Sequence, residues 1–294
     1  MTKTNKSLAL IIIVLLLLIA VLIIIVRNER EKKPQQPKQQ NTEQTTTGKQ
    51  NEPQKPSATN EETSNNTLDY DPTLQIDALQ MPLITANDEI IRHTGFTLSY
   101  CERHEQARWV AYTLSAEMLQ GTATRTNRFM SDPKVAQGSA TDADYKHSGF
   151  DRGHLAPAAD MRWSDEAMRS SFYFSNMSPQ KRGFNAGIWK RAEELVRTWA
   201  NTHQLVYVVT GPVLHDSLPY IGANKVSVPQ LFYKVLLTGD SSRALGFVIP
   251  HENSKLNLSQ FAVSVDSVEK LTGINFFHHL PDDIERKVES MTKF

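Results

Sequence analysis

Nineteen consecutive apolar side chains, Leu8 to Val26, without a charge, Gly or Pro, open this chain after a short polar tail. As a helix they would extend ~28 Å, the thickness of a bilayer's hydrocarbon. A buried core helix would carry polar interruptions. A cleaved signal peptide would show small residues at a cleavage site before Arg27, and none is there. We therefore expect a membrane anchor at 8–26 behind a tail at 1–7. Lys and Arg are more numerous after the run (Arg27, Arg30, Lys32, Lys33) than before it (Lys3, Lys6), which by itself would place the following chain in the cytoplasm. The very short tail acts in the opposite sense, as in a signal-anchor. Our expectation is a single-pass membrane protein whose main domain lies on the extracytoplasmic side.

Residues 27–73 are rich in Gln, Asn, Thr, Lys, Glu and Pro. Such a segment buries too little apolar surface to offset its ordering entropy, so it reads as a disordered polar linker. Residues 74–294 hold all four Trp and nearly all other aromatics, enough for one domain of ordinary size. The single cysteine, Cys101, excludes an intrachain disulfide. The chain has 32 basic and 32 acidic residues, and residues 1–75 account for 9 and 8 of them, leaving the domain close to neutral. A polyanion-binding surface would then be a local patch, not a global excess.

Strand propensity is strong at Trp109–Leu114, Leu205–Thr210, Leu231–Leu237 and Arg243–Pro250. Helical spacing appears from Gly187 to Trp199, and Pro281-Asp282-Asp283 starts a last helix. Ser175–Gln180 reads as a strand end turning into a loop. Strands linked by short turns predict an α+β fold, with a central, largely antiparallel sheet flanked by helices.

Chemistry concentrates in Asp151-Arg152-Gly153-His154, followed by Asn176, Gln180, Asn185 and Glu193. Cleaving a phosphodiester requires a base for water, positive charge for the phosphoryl oxygens, and stabilisation of the leaving oxygen. His154 suits the first task, its ordinary pKa lying near neutrality. Arg152 brings a guanidinium fork beside it, and Gly153 allows close backbone approach. Asn185 offers an oxygen donor to a hard cation, although by itself Asn is as readily a helix N-cap. In a regular helix Glu193 would lie ~12 Å along the axis from Asn185, too far for both to hold one ion. Either Asn185 precedes the regular helix, or Glu193 acts through water; we expect the second.

Asp151–Pro157 resembles the active-site signature of the DNA/RNA non-specific endonucleases. Ser175–Gln180, then Asn185 with Trp189 and Glu193, and Val228–Lys234 are similar to further segments of that family, so the likeness spans residues 80–290. The resemblance implies a ββα-metal nuclease core. In it His154 is the general base, Asn185 the direct ligand of a magnesium ion (manganese as substitute), and Arg152 a phosphate contact. Glu193 and Asp151 steady metal-bound waters, and Asn176 orients His154 or the substrate. A second phosphate-contacting Arg is implied ahead of the signature. Arg125 and Arg128 compete for it, with spacing to Asp132-Pro133 favouring Arg125. DNA and RNA would be substrates, cut to 5′-phosphate and 3′-hydroxyl ends, and a homodimer is compatible with the sequence. Rival readings are a small-nucleotide phosphodiesterase of the same core and a surface receptor that holds DNA without cutting it.

Overall fold

The computed structural model describes residues 79, 81–86 and 88–292. The expected anchor at 8–26 and linker at 27–73 lie outside them. Among the described residues no helix is long and apolar enough to cross a membrane.

Strands β1 (Glu89–His93), β2 (Phe96–Cys101) and β3 (Gln106–Ser115) form an antiparallel meander. It continues through β6 (Leu205–Pro212), β9 (Leu231–Thr238), β10 (Ala244–Pro250) and β11 (Ala262–Val263). The seven-stranded sheet has the order β1-β2-β3-β6-β9-β10-β11, and every pairing is antiparallel. Two ribbons stand apart from it, β4 (Asp151–His154) with β5 (Met177–Gln180), and β7 (Tyr220–Ile221) with β8 (Val226–Ser227).

Both sheet faces are covered, which is why the central strands read as unbroken apolar runs rather than as alternation. Val110, Tyr112 and Leu114 of β3 point to one side, with Val206, Val208, Phe232 and Leu236. On that side lie Trp189 and helix α3 (Lys190–His203) through Ala192, Val196 and Trp199. Trp109 and Ala111 point the other way, with Val209, Val235 and Leu237. There they meet α4 (Val265–Thr272), α5 (Asp282–Glu289) and the buried Phe276 and Phe277. Each large apolar side chain buried in this way contributes about 1.5–3 kcal/mol. The other helices among the described residues are short: α1 (Asp142–Tyr145) precedes β4, α2 (Asp165–Ser170) lies between β4 and β5, and a single turn at Arg182–Phe184 follows β5.

Two local expectations are corrected. Ser175–Gln180 is not a strand running into a loop but the reverse. A 3₁₀ turn (Phe174–Asn176) leads into β5, because Met177–Gln180 finds a partner in β4. The helix expected from Gly187 begins regularly only at Lys190. Asn185–Trp189 forms a wider π-type turn, with Gly187 at φ −106°, ψ −108° breaking the helical path.

Candidate active site

The ribbon is built around a missing side chain. Gly153 faces Ser178 across the β4–β5 pair, and a Cβ at Gly153 would lie 2.1 Å from Cδ of Gln180. Gly at this position leaves room for the buried Gln180 side chain to lie across β4, where a Cβ would displace it. Both ends of β4 are then tied to the wide turn. Asn185 Nδ2 donates to Asp151 Oδ2 (3.1 Å), and Trp189 Nε1 donates to the His154 carbonyl (3.2 Å). The strand presenting the imidazole and the turn presenting the amide are thus fastened to each other at two points.

His154 is 8% exposed, and neither ring nitrogen makes a hydrogen bond to a described residue; Nε2 is buried without a partner. Its ring lies edge-on to Phe172 (5.0 Å between centroids) and 5.9 Å from Phe129. Burial, with Arg125 as a second cause, holds its pKa down at about 3, from the ordinary 6.5. The ring is therefore a neutral base throughout the physiological range. Between pH 3 and 6.5 the unfolded chain binds the proton that the folded chain refuses. Stability is complete above that window and is lost as pH falls through it, by up to about 1.4 kcal/mol per pH unit. Thermal unfolding of the wild type between pH 7 and pH 4 is expected to fall more steeply than that of His154→Ala. Parallel curves would contradict a buried, neutral imidazole.

Two cations flank the ring on an aromatic frame. The Arg152 guanidinium sits 5.2 Å from the centre of Phe129, and that of Arg125 5.0 Å from the centre of Phe172. Arg152 pairs with the exposed Asp142, while its buried Nε has no partner among the described residues. Arg125 is exposed, and its charge acts on both His154 and Glu193. Arg128 has neither relation, so of the two competing arginines the geometry places Arg125 at the site.

Asn176 makes no hydrogen bond to the imidazole. Its Oδ1 accepts from the Ala156 N–H, and its Nδ2 donates to the carbonyls of Ala156 and Ser171, all at 2.9 Å. This completely buried amide clamps the chain two residues beyond His154 and positions it through the backbone.

Glu193 is the fourth residue of α3, and Asn185 stands before the regular helix, across the break at Gly187. The first of the two expected alternatives therefore holds for Asn185, and the ~12 Å separation of an unbroken helix does not apply. Glu193 is half-buried and makes no hydrogen bond to a described residue. Burial raises its pKa, and Lys234 and Arg197 oppose the rise. Beneath it lies a polar layer that composition did not reveal. Lys234 is fully buried, donates to Thr210 Oγ1 (3.1 Å), and packs 4.6 Å from the Trp189 ring. Asp160, also buried, accepts from Tyr112 (2.9 Å) and pairs with Arg197 (2.8 Å). Burial pushes the Lys234 ammonium down, while Glu193 and Asp160 hold its charge. One detectable signal was available: Lys234 is the only charged residue in an otherwise apolar strand.

The profile of the DNA/RNA non-specific endonucleases matches residues 76–283, which carry this entire constellation. The chain belongs to the DNA/RNA non-specific endonuclease family. It is thus a nuclease, an enzyme that hydrolyses phosphodiester bonds. Mitochondrial endonuclease G of Bos taurus is 38% identical over 199 residues, 62% of this chain and 67% of that protein. Nuclease C1 of Cunninghamella echinulata var. echinulata is 38% identical over 218 residues, 67% of this chain and 85% of its own. Among solved structures, the EndoG/EndoGI complex contains a chain similar to this endonuclease with a TM-score of 0.65 and 31% identity. The match covers 72% of this chain and 93% of that one. The α+β architecture is thus that of EndoG.

Proposed function

We propose that this endonuclease is metal-dependent and cuts DNA and RNA without sequence preference, leaving 5′-phosphate and 3′-hydroxyl ends, with His154 as general base. The observation that carries the reading is the double tie between β4 and the wide turn. It fastens the strand that carries an unbonded, neutral imidazole to the turn that carries the Asn185–Asp151 pair, with two arginines on the aromatic frame beside the ring.

The donor set fits a hard cation. Among the described residues, Asn185 Oδ1 receives no hydrogen bond and the Asp151 carboxylate accepts only from Asn185 Nδ2. Oxygen donors of this kind suit magnesium, or manganese in its place. Held by Asn185 with Asp151 beside it, the ion would neutralise charge at the scissile phosphate and on the departing 3′ oxygen. The chain's own residues do the rest. His154 takes the proton of the attacking water at a free ring nitrogen. Arg152 exchanges the Asp142 carboxylate for a phosphate oxygen, and Arg125 contacts a neighbouring phosphate. Glu193 is an acceptor open to the site, held by Lys234 and Arg197. Contacts to phosphate carry no base information, which supports a non-specific cutter.

Arg125→Ala is expected to raise KM more than it lowers kcat, and to reduce the slope of log KM against log salt by about 1. An unchanged slope would remove Arg125 from the phosphate track. For the reaction itself, a labelled oligonucleotide is incubated with the protein in magnesium or EDTA, and the product ends are determined. Magnesium-dependent 5′-phosphate and 3′-hydroxyl ends are expected. 3′-Phosphate ends, or equal cleavage in EDTA, would overturn the proposed chemistry. The apolar run Leu8–Val26 supports the further proposal that the enzyme is tethered to a membrane with the catalytic domain outside the cytoplasm. Protease protection of the domain in intact cells would contradict that orientation.

A further inference from the structure

The sheet face opposite the active site carries a second concentration of charge. Helices α4 and α5 pack there side by side through Val265, Val268 and Val288. Where they meet, carboxylate oxygens of Asp266, Glu269 and Glu289 all lie within 4.8 Å of one another. Exposed acidic clusters are common, but Glu289 is only 5% exposed. One of its carboxylate oxygens faces this cluster, and its Oε1 is buried with no hydrogen-bond partner among the described residues. A buried carboxylate oxygen left in this way costs free energy unless something positive meets it.

Among the described residues, the neighbouring charges do not supply that partner. The charged groups acting on Glu289 are Glu269, Glu285 and Asp266, all of them anionic. Lys270 acts on Glu269 and Arg286 on Glu285, both at the flank. Glu269 also accepts from the Phe276 N–H (2.8 Å), which fixes its carboxylate relative to the apolar layer. Oxygens bound to one calcium ion at about 2.3–2.6 Å can stand up to ~5 Å apart across it, and three carboxylates offer only hard donors.

We propose that Asp266, Glu269 and Glu289 form a structural site for a hard divalent cation of the calcium class, pinning α5 to α4 behind the catalytic sheet. Such an ion bridges two helices that otherwise repel each other at their contact. Divalent metal then acts on this enzyme twice, once at each face of the sheet.

The test uses the full chain carrying Asn185→Ala, so that binding at the catalytic turn does not contribute. Thermal unfolding is followed at pH 7 with calcium chloride alone or EDTA, alongside titration calorimetry. Calcium at about 100 times its Kd is expected to raise Tm by roughly 5–10 °C. Adding Glu289→Gln, or independently the less buried Asp266→Asn, is expected to abolish that rise and the calorimetric binding. The absence of any calcium response in Asn185→Ala would overturn the site and leave Glu289 a protonated core residue. A response that persists in both added variants would place the ion elsewhere and overturn it equally.

Discussion

His154→Ala is expected to lower the single-turnover cleavage rate by roughly 10²–10⁴-fold, the range that a positioned general base contributes. That corresponds to about 3–5.5 kcal/mol of activation free energy. Substrate binding is expected to change little, because the phosphate contacts proposed for Arg125 and Arg152 do not involve the ring. The fold is expected to survive. The ring sits against Phe129 and Phe172 without hydrogen bonds to any described residue, so its removal leaves a small void and strands no polar partner among them. A stability loss of about 1–3 kcal/mol at pH 8 accommodates that. Rates matched between wild type and variant would mean that another group takes the proton.

Lys234→Met is expected to destabilise the protein by about 3–5 kcal/mol, the usual cost of removing one partner from a buried ionic group. The ammonium is wholly enclosed and lies among Glu193, Asp160 and the Trp189 ring, so its loss leaves Asp160 with Arg197, and Glu193 with Arg197 and Arg125, as the cations acting on them. Lys234→Arg is not expected to rescue it, since a larger planar head has no room in a filled layer. Combining Lys234→Met with Glu193→Gln is expected to recover about 0.5–3 kcal/mol as a coupling energy. The stability cycle tests the ionic link, and activity tests a different consequence. Lys234→Met is expected to lower kcat because Glu193 loses the charge that steadies it. A stability cost below about 1 kcal/mol would mean that Lys234 is held neutral and that the layer is not ionic.

The legible parts of the fold were those whose pattern is insensitive to partners. β3, β6, β9 and β10 are buried on both faces or nearly so, and their apolar runs announce them. β1 and β2 were missed because Arg92, His93, Thr97 and Ser99 interrupt the runs, and only pairing with β3 organises them. Pro179 disguised β5, yet it lies in a two-stranded ribbon, where a missing N–H is tolerated. The break at Gly187 was invisible to helical spacing, because Ile188 and Ala192 still fall on one face after it. At the site, a short signature pointed to Arg152 and His154, and a separate later segment to Asn185. The aromatic frame of Phe129 and Phe172 and the layer of Tyr112, Asp160, Arg197 and Lys234 come from distant segments, so no local pattern joined them. Asn176 was legible as a residue, but its clamp on Ala156 was not.

The most direct measurement incubates the purified chain with supercoiled plasmid and, separately, a structured RNA, in magnesium and in EDTA. Degradation of both polymers in magnesium alone is the result expected of a non-specific, metal-dependent endonuclease. Intact polymers with a folded protein, while a small nucleotide diester is hydrolysed, would contradict it.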